Sequence, residues 1–397
     1  MSSPAADVDV LTRPAAAGKR RATLTVLKLT RYRNYAALTL ALSGASVVLA
    51  GPNGAGKTNL LEAVSLLSPG RGIRGARLDE IAMNGGGGTF AVAARVANSA
   101  GEVDLGTGVV AGPGGPESKR RVHVNHAAVG SSEALLDHLR VLWLTPSMDG
   151  LFTGPPADRR RYLDRAVLSI DKGHGTRANA FERAMRGRNR LLAEPSPDSS
   201  WLDAIETEMA ELGVAIAAAR REWAALAVAM IDVAGRRTPF PTAEVALSGS
   251  LEGDLDGFAA REVEERYRKL LRDDRERDAV AGRTLIGPHR SDLLVRHGPK
   301  GMPAESCSTG EQKALLVGLV LAQARLVANM TGETPVILLD EIAAHLDQTR
   351  REALFEVLVD LGAQAFMTGT DEAVFAPLGG AAQHGRARDG RIEFETA

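Results

Sequence analysis

Three short stretches hold residue types that could do chemistry together. "GPNGAGKT", Gly51–Thr58, fits the pattern G-x-x-x-x-G-K-[S/T] in full. Gly51, Gly54 and Gly56 let the backbone wrap phosphates. Lys57 then reaches the β- and γ-phosphates, and Thr58 offers a hydroxyl to Mg²⁺. "VILLDE", Val336–Glu341, ends an apolar run in two carboxylates. Asp340 is expected to hold the Mg²⁺ through water, and Glu341 to take a proton from attacking water. "CSTGEQK", Cys307–Lys313, opens an apolar stretch with a small polar cluster. It reads either as an anion site at a positive helix end or as a serine cap followed by a flexible glycine. The chemistry of the set is binding and hydrolysis of a nucleoside triphosphate. Two phosphate cradles in one chain require an explanation.

The elements that must position these residues follow from periodicity. "LTVLKL" (Leu24–Leu29) and "ALTLAL" (Ala37–Leu42) alternate like strands with one wet face. "SVVLA", just before the glycine-rich loop, is a continuous apolar run of the kind found in buried strands. A helix is expected over "KTNLLEAVSLL", stopped at "SPGRG" (Ser68–Gly72). Short β-like runs from Phe90 to Asn125 suggest an antiparallel meander, and "LRVLWLTP" (Leu139–Pro146) a further buried strand. From Pro155 to about Arg277 the character is helical, interrupted near "RRTPFPTAEVALSGSLEGDLDG". There Ile205, Met209, Leu212, Ile216, Ala219, Trp223, Leu226 and Met230 recur every 3.5 residues, as a coiled-coil seam or as an ordinary core helix would. Strand patterns resume after Arg283, with "VILLDE" and "AQAFMT" (Ala363–Thr368) as buried runs. The expected architecture is α/β: a head of mixed sheet with an antiparallel lobe, residues 23–146 and 281–397, interrupted by a helical arm, 147–280. Residues 1–22 are expected as a disordered tail.

Composition narrows the setting. A hydrophobic content of 44% in 397 residues supplies a substantial core. The single cysteine, Cys307, excludes an intrachain disulfide framework and suits a reducing cytosol. No apolar run is expected to reach the ~18 residues of a membrane span, and the N-terminus lacks a secretory h-region, so the expected location is cytoplasmic with no membrane partner. The net charge of −1 advertises no nucleic acid, but 40 of the 48 basic residues are Arg. Arg binds phosphate bidentately, although a GC-rich genome gives the same bias. Aromatics are only 4%, so duplex backbone is a better target than unstacked bases. Basic runs at "SKRRVH" (Lys119, Arg120, Arg121), "DRRRYLDR" (Asp158–Arg165) and "RANAFERAMRGRNR" (Arg186, Arg188, Arg190) are either DNA contacts or solvated faces.

Taken in chain order, the phosphate loop, then "CSTGEQK", then "VILLDE", the three motifs resemble the ABC-type ATPase head. That resemblance implies that Ser308, Gly310 and Glu311 act in trans, on the γ-phosphate of ATP held by another subunit. Lys57 and Ser308 lie 251 residues apart, and the gap holds one short arm. This arrangement resembles the RecF family, unlike the closer spacing of transporter subunits or the long coiled coil of SMC proteins. "RYRNY" (Arg31–Tyr35), "KTNLLEAVSLLSPGRGIR", "DRRRYLDR", "GPHRSDL" (Gly287–Leu293) and "STGEQKALL" resemble RecF segments in order, from about residue 24 to 372.

The resemblance implies a nucleotide site of Gly51, Pro52, Asn53, Gly54, Ala55, Gly56, Lys57, Thr58 and Asn59, with Arg74 as a finger on the phosphates (Arg71 being the alternative). It further implies Asp347, in "HLD", on a loop crossing a dimer interface, and adenine-side contacts or packing from Arg31–Tyr35. The family's activity is recombinational gap repair and fork maintenance: an ATP-dependent homodimer on DNA, working with RecR and RecO to load the recombinase and induce the SOS response. Thr309 replaces a glycine common in signature motifs, and "TGT" (Thr368–Thr370) stands where many ABC heads carry a sensor His. These departures imply a slow, switch-like ATPase. The alternatives are another SMC-like ABC enzyme or an ATP-gated scaffold with negligible turnover.

Overall fold

The computed structural model describes residues 20–394, apart from 86, 113, 114, 117, 118, 236, 237, 344, 345 and 389. Most of the expected tail therefore lies outside the described residues, as does His345 of "HLD". Residues 20–22 correct the tail's boundary. Arg20–Arg21 pairs in parallel with Glu333–Thr334, and Ala22 is buried.

The chain divides into two compact units: Met1–Asp149, Val233–Pro241 and Lys313–Ala397 in the first, Gly150–Asp232 and Thr242–Gln312 in the second. The first unit carries two six-stranded sheets. One is antiparallel, in the order 127–129, 121–124, 101–109, 90–98, 23–32, 35–41. The other runs 141–144, 336–339, 365–369, 46–50, 382–388, 391–394, all parallel except its last strand. The glycine-rich loop leaves strand Ser46–Ala50, so strand Ala365–Gly369 stands between it and strand Val336–Leu339, which Asp340 follows.

Helix Lys57–Ser65 packs into the core these sheets share. Leu60, Leu61, Ala63 and Val64 join Leu27, Leu29 and Val92 from one sheet and Val47, Leu49, Leu338 and Phe366 from the other. Nine residues are too few for a stable isolated helix. Burying each leucine contributes about 1.5–3 kcal/mol, so packing rather than propensity fixes this helix.

The second unit is built on helices Pro156–Leu168, His174–Leu192 and Ala260–Asp273, with most of Ser199–Gly235. The 37-residue helix Ser199–Gly235 resolves the coiled-coil alternative. Of the seam positions it buries Met209, Ile216, Trp223 and Met230 and half-buries the other four, and it also buries Ala210, Val214, Ala217 and Ala227, a stripe wider than a two-stranded seam. Met209, Ala210, Val214, Ile216 and Ala217 pack with Phe181, Val263, Tyr267 and Leu271 in one cluster. It is a core helix.

The unit boundaries differ from the expected 147–280 arm, because residues up to Gln312 group with the helices. Strand pairing is the cause. "AEVALS", Ala243–Ser248, lies in the stretch read as an interruption, and it pairs antiparallel with Asp292–His297, which pairs with Met302–Pro303. "GPHRSDL" ties this sheet to the helices. Arg159 holds Asp292 at 2.8 and 2.7 Å, Arg160 donates to the Ser291 carbonyl at 2.9 Å, and Arg220 to that of Pro288 at 2.6 Å.

Helix Thr309–Thr331 corrects the expectation that no apolar run is long enough to span a membrane: by length and composition it is. Two-thirds of its most apolar window is buried, including Leu315, Leu316, Val320 and Leu326, as in a core helix.

Candidate nucleotide site

The loop after Ala50 takes the shape its glycines permit. Gly51, Gly54 and Gly56 have φ of 151°, 83° and 103°, values open chiefly to glycine. At Gly51 a Cβ would lie 2.4 Å from the Ala387 carbonyl oxygen. At Gly54 nothing lies within 4 Å, so that side of the loop is open to a phosphate. Pro52 and Asn53 are exposed on the same loop, and Ala55 is buried beneath it. Lys57 donates from Nζ to the carbonyls of Gly51 (2.7 Å) and Pro52 (3.0 Å). Burial lowers its pKa below the ordinary lysine value, against the opposing charges of Glu341 and Asp340.

Thr58, Asp340, Glu341 and Thr368 form one cluster. The Thr58 hydroxyl lies 3.0 and 3.1 Å from the two carboxylate oxygens of Asp340. Thr368 donates its hydroxyl to Asp340 Oδ1 at 2.7 Å and accepts the Glu341 N–H at 2.9 Å. A hydroxyl and a carboxylate converging beside a phosphate loop are the donor set Mg²⁺ takes with a nucleotide, since it binds few protein oxygens and keeps the phosphates and water for the rest. Among the described residues no group of three His, Cys, Asp or Glu side chains could hold a metal ion, so a metal here would depend on the phosphates for most of its ligands. Asp340 and Glu341 are where the sequence put them. Thr368 is the addition, and only the order of the strands brings it between loop and carboxylates.

Behind the loop, the Tyr35 hydroxyl donates to the Gly56 carbonyl at 3.0 Å, and burial raises its pKa to about 12. Asn34 bonds Asn59 at 2.7 Å. Arg33 grips the buried Glu62 at 2.8 and 2.7 Å from a backbone with φ of 51°. Tyr35 thus braces the phosphate loop, and Arg33 the helix that follows it. Arg74 reaches the same helix face, with Nη1 2.7 Å from Asn59 Oδ1 and 3.2 Å from Glu62; Arg71 is exposed.

The signature residues lie in the second unit. Ser308 caps helix Thr309–Thr331 in a reciprocal box: its N–H donates to Glu311 Oε2 at 3.0 Å and its Oγ accepts the Glu311 N–H at 3.4 Å. Lys300 also bonds Glu311. That hydrogen bond first, then those from Ser308, hold the Glu311 carboxyl down to about 2. Ser308 and Gly310 are exposed, and a Cβ at Gly310 would meet nothing within 4 Å. Asp347 is exposed and caps helix Gln348–Leu361 through the Arg350 N–H at 2.9 Å.

Two expected DNA contacts are corrected. Arg120 turns inward to cap the end of the phosphate-loop helix, donating to Gly70 (2.6 Å), Ser68 (3.1 Å) and Leu66 carbonyls and to Thr107 Oγ1. Burial lowers its pKa to about 10. Arg188 is fully buried, paired with Glu206 (2.9 Å) and Asp278 (2.6 Å). Lys119, Arg121, Arg186 and Arg190 are exposed. In "DRRRYLDR" only Tyr162 and Leu163 are buried and Arg161 is exposed; Asp164 accepts from Arg220 and from buried His174.

This fold and this cluster define an ABC-type P-loop head of the SMC-like class. The family profile described as the RecF/RecN/SMC N terminal domain matches residues 23–381. A protein of Mesorhizobium japonicum named DNA replication and repair protein RecF is 60% identical over 360 residues, covering 91% of this chain and 94% of that one. The protein of the same name in Rhizobium meliloti is 57% identical over 369 residues, covering 93% and 98%. A solved structure of the recombination mediator protein RecF with ATP superposes with a TM-score of 0.83 at 23% identity, covering 97% of this chain and 100% of that one. An Smc head domain from Pyrococcus furiosus superposes with a TM-score of 0.53 at 15% identity, covering 95% and 96%. The chain belongs to the RecF family.

Proposed function

We propose that this chain is an ATP-gated DNA-binding protein of recombinational gap repair and replication-fork maintenance, with a weak, DNA-stimulated ATPase as its switch. The observation that carries the reading is the convergence of Thr58, Asp340 and the Thr368–Glu341 pair beside the phosphate loop. Lys57 and the loop N–H groups bind the phosphates, and Thr58 and Asp340 would hold Mg²⁺, which supplies charge neutralisation on them. Glu341 takes the proton of the attacking water, and Arg74 stabilises charge on the phosphates.

Ser308, Gly310 and Glu311 are assigned to the ATP of the partner subunit in an isologous homodimer, with Asp347 on the crossing loop. The open face at Gly310 supports this. Lys119, Arg121, Arg186 and Arg190, all exposed, are the remaining DNA contacts. The absence of a histidine from "TGT" supports slow turnover. The names of the relatives support DNA replication and repair and, through the RecFOR pathway, RecR- and RecO-type partners. We extend that reading to recombinase loading, the SOS response and a cytoplasmic setting.

The test is Glu341→Gln. A general base contributes about 10²–10⁴-fold, so this variant should bind ATP normally, lose single-turnover hydrolysis by that factor and accumulate as an ATP-bound dimer. Hydrolysis at the parental rate would remove Glu341 as the base.

A further inference from the structure

Thr368 lies on the strand between the phosphate-loop strand and strand Val336–Leu339, which the two carboxylates follow. In that register Thr368 pairs with Leu49 on one side, and its neighbour Met367 pairs with Leu339 on the other. Its side chain therefore emerges at the level of Asp340, and it is buried. The single hydroxyl is used twice. Its proton goes to Asp340 Oδ1 at 2.7 Å, and its oxygen accepts the Glu341 N–H at 2.9 Å. Asp340 Oδ1 also receives Thr58 at 3.0 Å.

Glu341 needs such support. Its φ is 55°, a left-handed conformation that a non-glycine residue keeps only when its surroundings fix it. The Thr368 bond falls on the amide of that residue. One hydroxyl thus sets both the orientation of the metal-side carboxylate and the backbone carrying the base.

We propose that Thr368 is the positioning residue of the site, locking Asp340 and Glu341 into one geometry so that metal binding and proton abstraction are coupled through it. The inference rests on the reading of Asp340 and Glu341 given above. Valine at this position keeps the shape and removes both bonds, and serine restores both without the methyl group.

The experiment measures mant-ATP affinity without Mg²⁺, the Mg²⁺ concentration for half-maximal hydrolysis, and the single-turnover rate, for Thr368→Val, Thr368→Ser and Glu341→Gln in the full chain. Loss of a supporting hydrogen bond to a metal ligand typically costs about 10–100-fold in metal affinity or activity. Thr368→Val should therefore keep its metal-free mant-ATP affinity, shift the Mg²⁺ midpoint upward by that order and hydrolyse slower by a similar factor. Thr368→Ser should regain most of both. Should the valine variant fail to fold, Thr368→Cys has nearly the shape of the serine variant with only a weak donor, and carries the same expectation as valine. Parental Mg²⁺ dependence and rate in the valine or cysteine variant would overturn the proposal. So would a slow variant whose Mg²⁺ midpoint is unmoved and which serine does not rescue. Glu341→Gln separates the two readings. If it stalls while Thr368→Val hydrolyses normally, only the role of Thr368 falls; if Glu341→Gln also hydrolyses normally, the reading of the site falls with it.

Discussion

Arg120 and Arg121 are neighbours in a basic run, yet one caps a helix from inside while the other is exposed. Hydrogen bonds from a charged donor contribute about 1.5–3 kcal/mol, so Arg120→Ala should lower stability by about that much in urea denaturation. Its duplex binding, compared at one fraction folded, should keep the parental salt dependence; a flattened slope would return Arg120 to the DNA surface. At Glu311 the folded pKa lies near 2, below the ordinary 4.5. Its contribution to the cap is therefore fully present above about pH 4.5 and is lost only as pH falls toward 2. A carboxyl-carbon NMR titration of Glu311 should show that depressed midpoint, and Lys300→Ala should raise it. The phosphate loop and Asp340–Glu341 were legible because each is contiguous. Arg188 was not, because its partners Glu206 and Asp278 lie 18 and 90 residues away. Thr368 was visible only as a missing histidine, since its role depends on which strand stands between two others.

The arm's central helix shows what an apolar period specifies and what it leaves open. The run from Ile205 to Met230 gave the helix, but its partners decided between a seam and a core, and the buried Ala210, Val214 and Ala217 widen the stripe. The same helix carries Glu206 to the Arg188 guanidinium, which also reaches Asp278 and Thr284. Removing one partner of a buried ion pair costs about 3–5 kcal/mol. Arg188→Ala should therefore destabilise the helical unit by about that amount, read as a lower urea midpoint for its far-UV signal. A loss under about 1 kcal/mol would mean the network is not what holds these helices. "GPHRSDL" had no role assignable from its residues alone. Strand pairing and Arg159, Arg160 and Arg220 give it one, as the link between sheet and helices.

Over the whole molecule, the fold class was readable from motif order, while the unit boundary was not, because strand Ala243–Ser248 claims Asp292–His297 for the helical unit. The exposed arginines that remain make a graded prediction. Neutralising Arg186 and Arg190 should weaken duplex binding regardless of sequence and reduce the salt slope by about one unit for each DNA phosphate no longer neutralised. An unchanged slope would leave that helix a solvated face.

The two proposed phosphate cradles of one chain are assigned to different nucleotides, and an ATP-gated switch between subunits depends on that. Lys57→Ala has two dead loops as a homodimer, and Ser308→Arg has two blocked signatures. In the mixed dimer both lesions fall at one site, and the other joins an intact Lys57 to an intact Ser308 of the partner subunit. The measurement is DNA-stimulated ATP hydrolysis by the two variants covalently tethered, which keeps their effective concentration high. Activity absent from each variant alone should reappear in the tethered pair, up to one working site per dimer. A silent tethered pair would contradict the assignment.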